Sequence, residues 1–260
     1  MTGLAKQPHT DYTATMSLNR DQIERHKRHL LLKEIGGPGV QKLRSASVSI
    51  VGAGALGGPC ALFLAAAGVG KIELWDDDTV DRSNLQRQVQ FSESDIGQDK
   101  AAQLAERLAA IDPSLTIVPR TQRFQTGADL AGDVLIDATD NYESRFLLNQ
   151  TAHQTGRYLV SGAAARWSGQ LSVYASGVDS QAPCYACLVP EMPPAPEACD
   201  DVGVVGALTG EVGAAMALEA VKLITGAGKP LIGRLRIYDG LSGDVRTLKL
   251  RPNTDCRVCN

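Results

Sequence analysis

Two groups of residues in this 260-residue chain are spaced to do chemistry. The first is made of cysteines. Cys184-x-x-Cys187 and Cys256-x-x-Cys259 are paired units whose four thiolates suit a tetrahedral Zn2+. Four protein ligands leave no open position, so such a site would be structural and would pin the C-terminal tail to the base of a long loop. No iron–sulfur spacing fits better. A redox Cys-x-x-Cys should open a helix after a strand, whereas Cys184 lies in the proline-rich run QAPCYACLVPEMPPAPEACDD. The second group surrounds the loop Gly52-Ala53-Gly54-Ala55-Leu56-Gly57, set between an expected strand and an expected helix. Glycines there allow a tight turn and let a phosphate approach the amides at the helix N-terminus. Asp76, closing the next strand, can accept hydrogen bonds from ribose hydroxyls. That much fits NAD and ATP equally.

Beyond Asp76 the chain departs from a dinucleotide site. The stretch KIELWDDDTVDRSNLQRQ continues with Asp78, Asn84, Arg87 and Gln88. Arg87 and Lys100 would bring two positive charges close to the glycine loop. In IDATDN, Asp140 and Asn141 stand just past another strand, where open α/β sheets place their ligands. Two cations and an aspartate resemble a triphosphate site with Mg2+ on Asp140. Taken singly, each residue is more commonly part of a surface ion pair. What argues for a site is that all of them fall at strand ends on one predicted face.

The elements that must position these residues are an alternation of strands and helices. SVSIVGA reads as a buried strand, PCALFLAAAGVG as a helix, KIELWD as a strand, and QDKAAQLAERLAAID as an amphipathic helix stopped by Pro113. TIVPR and DVLIDAT are strands, NYESRFLLNQTAHQTG a helix, and RYLVSGAA and GQLSVYA strands. This order predicts a Rossmann-like α/β fold: a mostly parallel sheet with helices on both faces. A small-residue helix, GALTGEVGAAMALEAVKLITG, precedes two late strands, GRLRIYDG and DVRTLKL, read as an antiparallel C-terminal extension. Ahead of the glycine loop, LNRDQIERHKRHLLLKEIGGPGVQKLR is a charged helical lead-in broken by GGPG. Residues 1–19 read as a disordered extension with Met16 a possible alternative start, and 20–260 as a single domain with a crossover loop at about 178–203.

Bulk properties narrow the function. Twenty-six Lys and Arg against 29 Asp and Glu give a net charge of −3. The basic residues do not cluster, so no nucleic-acid partner is expected. No apolar run is long enough to span a membrane, and the N-terminus has no signal-like apolar region. A cytoplasmic protein is therefore expected, where disulfides are disfavoured. Of the two remaining cysteines, Cys60 falls early in a helix as a small buried hydrophobe. Cys199 is either an incidental thiol or a functional one; its neighbours Asp200 and Asp201 would raise a thiol pKa. His9, His26, His29 and His153 show no triad or metal spacing.

With GAGALG, WDDDTVDRSNLQRQ, GQDK, DATDN, CYAC, GVVG and CRVC in this order, the chain from about Arg20 onward resembles the bacterial ubiquitin-activating-enzyme-like adenylyltransferases. These enzymes, the MoeB/ThiF family, activate the sulfur-carrier proteins of molybdopterin and thiamine synthesis. SNLQRQ is the most specific of these motifs. The resemblance implies a homodimer that uses ATP and Mg2+, with a ubiquitin-like carrier protein ending in Gly-Gly as the second substrate. It implies that Asp76 binds the ribose, that Asn84, Arg87 and Lys100 hold phosphates, and that Asp140 binds Mg2+. Gly52, Gly54, Gly57, Asp78, Ser83 and Asn141 complete the implied ATP-binding set. Arg28, in HKRHLLL, matches an arginine that reaches into the neighbouring protomer's site. Cys199 matches a loop cysteine that takes part in sulfur chemistry in some thiamine-pathway members and is dispensable in others. The four paired cysteines match the family's zinc site. Ala55, Ala138 and Ala207 depart from residues common in the family, and none of them removes a catalytic group. With no rhodanese-like domain after Asn260, a separate protein is expected to donate the sulfur. The pathway stays open among molybdopterin, thiamine and other sulfur-transfer routes, and a NAD(P)-dependent oxidoreductase is the reading from another class.

Overall fold

The computed structural model describes residues 18–192 and 203–260. Most of the N-terminal extension, together with Cys199, Asp200 and Asp201, lies outside the described residues. The lead-in forms two helices, α1 (Arg20–Leu30) and α2 (Gly36–Ser45). Asn19 opens α1 with a capping box: its Oδ1 accepts from Gln22 N at 2.9 Å, and Gln22 Oε1 accepts from Asn19 N at 3.0 Å. The GGPG segment, expected as a break, instead starts α2. Pro38 falls in the first helical turn, where no amide is needed for the helical ladder.

Eight strands form one sheet in the order β3-β2-β1-β4-β5-β6-β7-β8. They are β1 (Ser47–Val51), β2 (Lys71–Trp75), β3 (Thr116–Arg120), β4 (Val134–Asp137), β5 (Tyr158–Ala165), β6 (Ser168–Tyr174), β7 (Arg234–Asp239) and β8 (Asp244–Lys249). The first five pair in parallel and the last three are antiparallel. The direction therefore reverses one strand earlier than the late extension expected from sequence. Only Arg166 and Trp167 join β5 to β6, too few for a parallel crossover. Arg166 takes a positive φ of 54° in that turn.

Strand side chains alternate between two layers. Val48, Ile50, Ile72, Leu74 and Ile136 pack on α3 (Gly57–Ala67), α4 (Lys100–Ile111) and α7 (Gly206–Thr225) through Leu64, Leu104, Leu108, Val212 and Met216. On the other face Val51, Trp75, Leu135 and Leu159 pack on Leu148 of α5 (Tyr142–Thr155) and Tyr185 of the one-turn α6 (Tyr185–Leu188). Each such aliphatic side chain, fully buried, contributes about 1.5–3 kcal/mol. No helix among the described residues is long and apolar enough to cross a membrane.

Candidate active site

The strand order reverses at β1. The chain runs outward through β2 and β3, then returns to β4 on the other side of β1. In open α/β sheets the crevice at the carboxyl ends of such a strand pair is where ligands bind. The glycine loop leaves β1 at this edge and the Asp140 loop leaves β4 beside it, with Val51 paired to Asp137. Two glycines are required by the close approach. Gly52 has φ +97°, and a Cβ there would come within 2.5 Å of Ala138 O; a Cβ on Gly57 would meet Gly52 O at 1.7 Å.

Asp76 ties the loop to β2. Its Oδ2 accepts from Ala53 N at 2.7 Å and its Oδ1 from Asp78 N at 3.0 Å. Burial raises its pKa, opposed by the Ala53 amide and by Lys100. The segment after β2 then folds back over the loop. Gln90 Nε2 donates to Ala53 O at 2.9 Å and to Gly54 O at 3.1 Å, and Gln88 Nε2 lies 3.4 Å from where a Cβ on Gly54 would stand. Gln88 Oε1 is buried and has no protein partner. Asn84, 8% exposed, is held in a 3-10 turn capped by Asp81, with its Nδ2 3.4 Å from Ser83 Oγ. Arg87 Nη1 donates to Ser83 O at 3.1 Å. Lys100, at the N-terminus of α4, is buried and pairs with the exposed carboxylate of Asp78 at 2.8 Å. Asp78, which a dinucleotide site would not need, is thus the counter-ion of the lysine expected to hold phosphate.

Across the crevice Asp140 is exposed at the end of its loop. Asn141 caps α5, its Oδ1 accepting from Ser144 N at 2.9 Å, and its Nδ2 is 3.4 Å from Asp140 Oδ1. Asp137, fully buried, accepts from Thr139 Oγ1 and from Ser161 Oγ, each at 2.6 Å. An exposed carboxylate at this point fits a divalent cation that is bound chiefly with a nucleotide.

Arg28 does not join this assembly within the chain. It is exposed on α1, whose buried His26 packs on Gly68 at the far end of α3, and whose Arg25 Nη1 donates to Ile111 O at the far end of α4. The 11 residues of α3 separate that edge from the glycine loop by about 16 Å.

The four paired cysteines converge although 72 residues separate each half. Cys184 Sγ is 3.5 Å from Cys256 Sγ, Cys187 Sγ is 3.5 Å from Cys259 Sγ, and all four sulfurs lie within 4.8 Å of one another. No disulfide joins them. A tetrahedron with Zn–S of about 2.3 Å needs sulfurs roughly 3.8 Å apart, so the set fits Zn2+. Asn253 N donates to Cys187 Sγ at 3.3 Å. Burial pushes the Cys184 thiol up and resists ionisation of Cys256, whose pKa is nevertheless lowered by the Val258 and Cys259 amides aimed at its sulfur. Contrary to the loop expected from the proline-rich composition, Cys184 caps a helix. That helix is the single turn α6, with no strand directly before it. Cys60 is fully buried and its thiol is pushed far up by burial alone.

The sequence profile of the ThiF family matches residues 26–258. The chain belongs to the ThiF family. Among ThiF-family relatives, it is 40% identical over 252 residues to the SAMP-activating enzyme E1 of Haloferax volcanii, covering 94% of this chain and 92% of that one. It is 41% identical over 250 residues to "Adenylyltransferase and sulfurtransferase MOCS3-1" of Zea mays, covering 94% of this chain and 53% of the other. The MOCS3 protein of Aedes aegypti is 43% identical over 253 residues, with coverage of 94% and 56%. The chain thus spans about half the length of these MOCS3 relatives. Its fold is like that of E. coli MccB crystallised with ATP, with a TM-score of 0.76 at 19% identity over 93% of this chain and 76% of that one.

Several groups in this ThiF-family site carry no motif signal in the sequence. Gln90 is the main one. It stands two residues after Gln88 with the exposed Val89 between them, and that alternation was the available signal. Arg145 and Asn149 gave none, since an arginine and an asparagine on a helix are ordinarily solvated.

Proposed function

We propose that this chain is an ATP-dependent adenylyltransferase acting on the C-terminal Gly-Gly carboxylate of a ubiquitin-like sulfur-carrier protein. The observation that carries this reading is the meeting of the glycine loop and the Asp140 loop at the β1/β4 switch point, with Asn84, Arg87 and Lys100 supplied by the segment after β2. In this reading a carrier carboxylate oxygen attacks the α-phosphorus of ATP. The bond from that phosphorus to the bridging oxygen breaks, and pyrophosphate leaves from an acyl-adenylate. Asp76 and the loop amides hold ribose and phosphate; Arg87 and Lys100 offset the developing charge; Asp140 holds Mg2+, which neutralises phosphate charge when bound. Positioning and electrostatics do most of the work. The names of the relatives, a SAMP-activating enzyme and two adenylyltransferases, support the same class. An oxidoreductase would need a hydride-transfer site, and no His or Tyr–Lys pair stands ready for one in the sequence. ATP–pyrophosphate exchange with candidate carriers tests the reading: exchange that depends on one carrier is expected, and nicotinamide binding without exchange would reject it. We take molybdopterin synthesis as the leading pathway, with thiamine synthesis as the alternative.

The opposite-edge position of Arg28 supports its action in a partner's crevice, hence a homodimer. Arg28→Ala and Asp140→Ala homodimers are each expected to be inactive, while a mixed population should regain exchange in the heterodimer. That heterodimer has one site with both residues intact. Absence of recovery would return Arg28 to its own subunit or remove it from catalysis.

Cys199 lies outside the described residues. We take it as dispensable for adenylation, so Cys199→Ala is expected to leave exchange unchanged. Thiamine-type chemistry would still lose sulfur transfer in that variant and form a Cys199–carrier adduct visible on non-reducing gels in the parent protein. Loss of exchange itself in Cys199→Ala would contradict both versions.

A further inference from the structure

The Asp140 loop is held through Thr139 by a buried group on α5. Arg145, in the first turn of α5, has a side chain only 12% exposed. Its Nη2 donates to Thr139 O at 2.7 Å and to Gly162 O at 3.2 Å, and its Nε stands 3.4 Å from Asp137 Oδ2. Thr139 immediately precedes Asp140, so one guanidinium fixes the main chain from which the carboxylate projects. The same guanidinium lies over the Tyr185 ring, 5.7 Å from its centroid. Tyr185 follows Cys184 in the knot, and its amide donates to Asn149 Oδ1 at 2.7 Å. Asn149 is 1% exposed and stands one turn beyond Arg145 on α5. Its amide nitrogen is buried and has no hydrogen-bond partner. A short path of buried groups thus runs from the cysteines through Tyr185 and Arg145 to Thr139.

We propose that Arg145 is a positioning residue through which the state of the four-cysteine knot sets the order of the Asp140 loop. With the knot closed, the Tyr185 ring backs the guanidinium and keeps it on Thr139 O. With the knot open, the ring loses its anchor and the loop loosens. Arginine is needed because a planar fork can bond two carbonyls, face a carboxylate and lie on a ring at once; lysine offers a point charge only. The consequence for nucleotide binding rests on the adenylation reading, whereas the coupling itself does not.

Hydrogen exchange over residues 134–144 tests the coupling without reference to activity. The full chain is compared with Arg145→Lys, each with and without chelation of bound zinc, and protection of Val48–Val51 in β1 serves as the check that the fold persists. Arg145→Lys is expected to keep its metal and to speed exchange around Ala138 and Thr139 about five- to tenfold, the low end of coupling between linked sites. Chelation of the parent chain should do the same. Chelation of Arg145→Lys should add less than about twofold, because changes along one path are not additive. An equal response to chelation in both proteins, or no effect of Arg145→Lys, overturns the proposal. Tyr185→Leu removes the ring and keeps Arg145, and it supplies the same comparison if Arg145→Lys loses β1 protection. The affinity for ATP with Mg2+, measured by equilibrium dialysis on the same samples, should weaken in step. A loop that loosens with unchanged ATP affinity would keep the coupling and count against the adenylation reading.

Discussion

Asp140→Ala is expected to abolish ATP–pyrophosphate exchange while leaving the melting temperature nearly unchanged. Asp140 is exposed, and the cap on α5 comes from Asn141, so truncation removes no core contact. Exposed substitutions of this kind usually stay within about 0.5 kcal/mol. The catalytic loss should be on the order of 10^2 to 10^3 or more, the scale of removing one preorganised electrostatic group. Arg87→Ala and Lys100→Ala should each cost about 3 kcal/mol of transition-state stabilisation on the same scale. They differ in one respect. Lys100 is buried and salt-bridged, but its partner Asp78 is 65% exposed and can be rehydrated. Lys100→Ala should therefore destabilise the fold modestly as well, and Arg87→Ala should not. Near-normal exchange in Asp140→Ala would remove Asp140 from the metal site.

The second large effect concerns the cysteine knot. Purified protein is expected to carry about one Zn2+ per chain, measurable by elemental analysis. Cys184→Ser or Cys259→Ser should lower metal content and unfolding free energy together, by several kcal/mol. That is a fraction of the about 10–16 kcal/mol with which thiolate sites of this kind hold zinc. Cys184→Ser should be the more severe, because Cys184 is fully buried and Cys259 is partly exposed. Metal-free protein with undiminished stability would sink this assignment.

Much of the frame was legible because periodicity and punctuation are local. The run SVSIV, the glycines after it and the acidic end of KIELWD announce a strand, a tight turn and a second strand within a few dozen residues. The direction of β6 was missed because strand patterns carry no sign; the two-residue link after Ala165 was the clue. GGPG misled because the same residues break a helix in its middle and begin one at its end. In the site, the residues past β2 were readable as types, but not the pairing of Asp78 with Lys100, which depends on how α4 lands. The stack of Arg145 on Tyr185 joins residues 40 positions apart, and a pattern confined to neighbours cannot express it.

The turn at Arg166 also anchors the chain that closes over the segment after β2. Arg166 N donates to Gly203 O at 2.7 Å and Arg166 O accepts from Val205 N at 3.1 Å, so the chain re-enters the fold at the carboxyl end of β5. Three residues on, Gly206 sits so close to the segment after β2 that a Cβ would meet Gln86 O at 2.5 Å and Arg87 Cα at 3.0 Å. Any side chain at position 206 would therefore push against the segment that carries Asn84 and Arg87, so this re-entry point helps to set where that segment stands above the glycine loop.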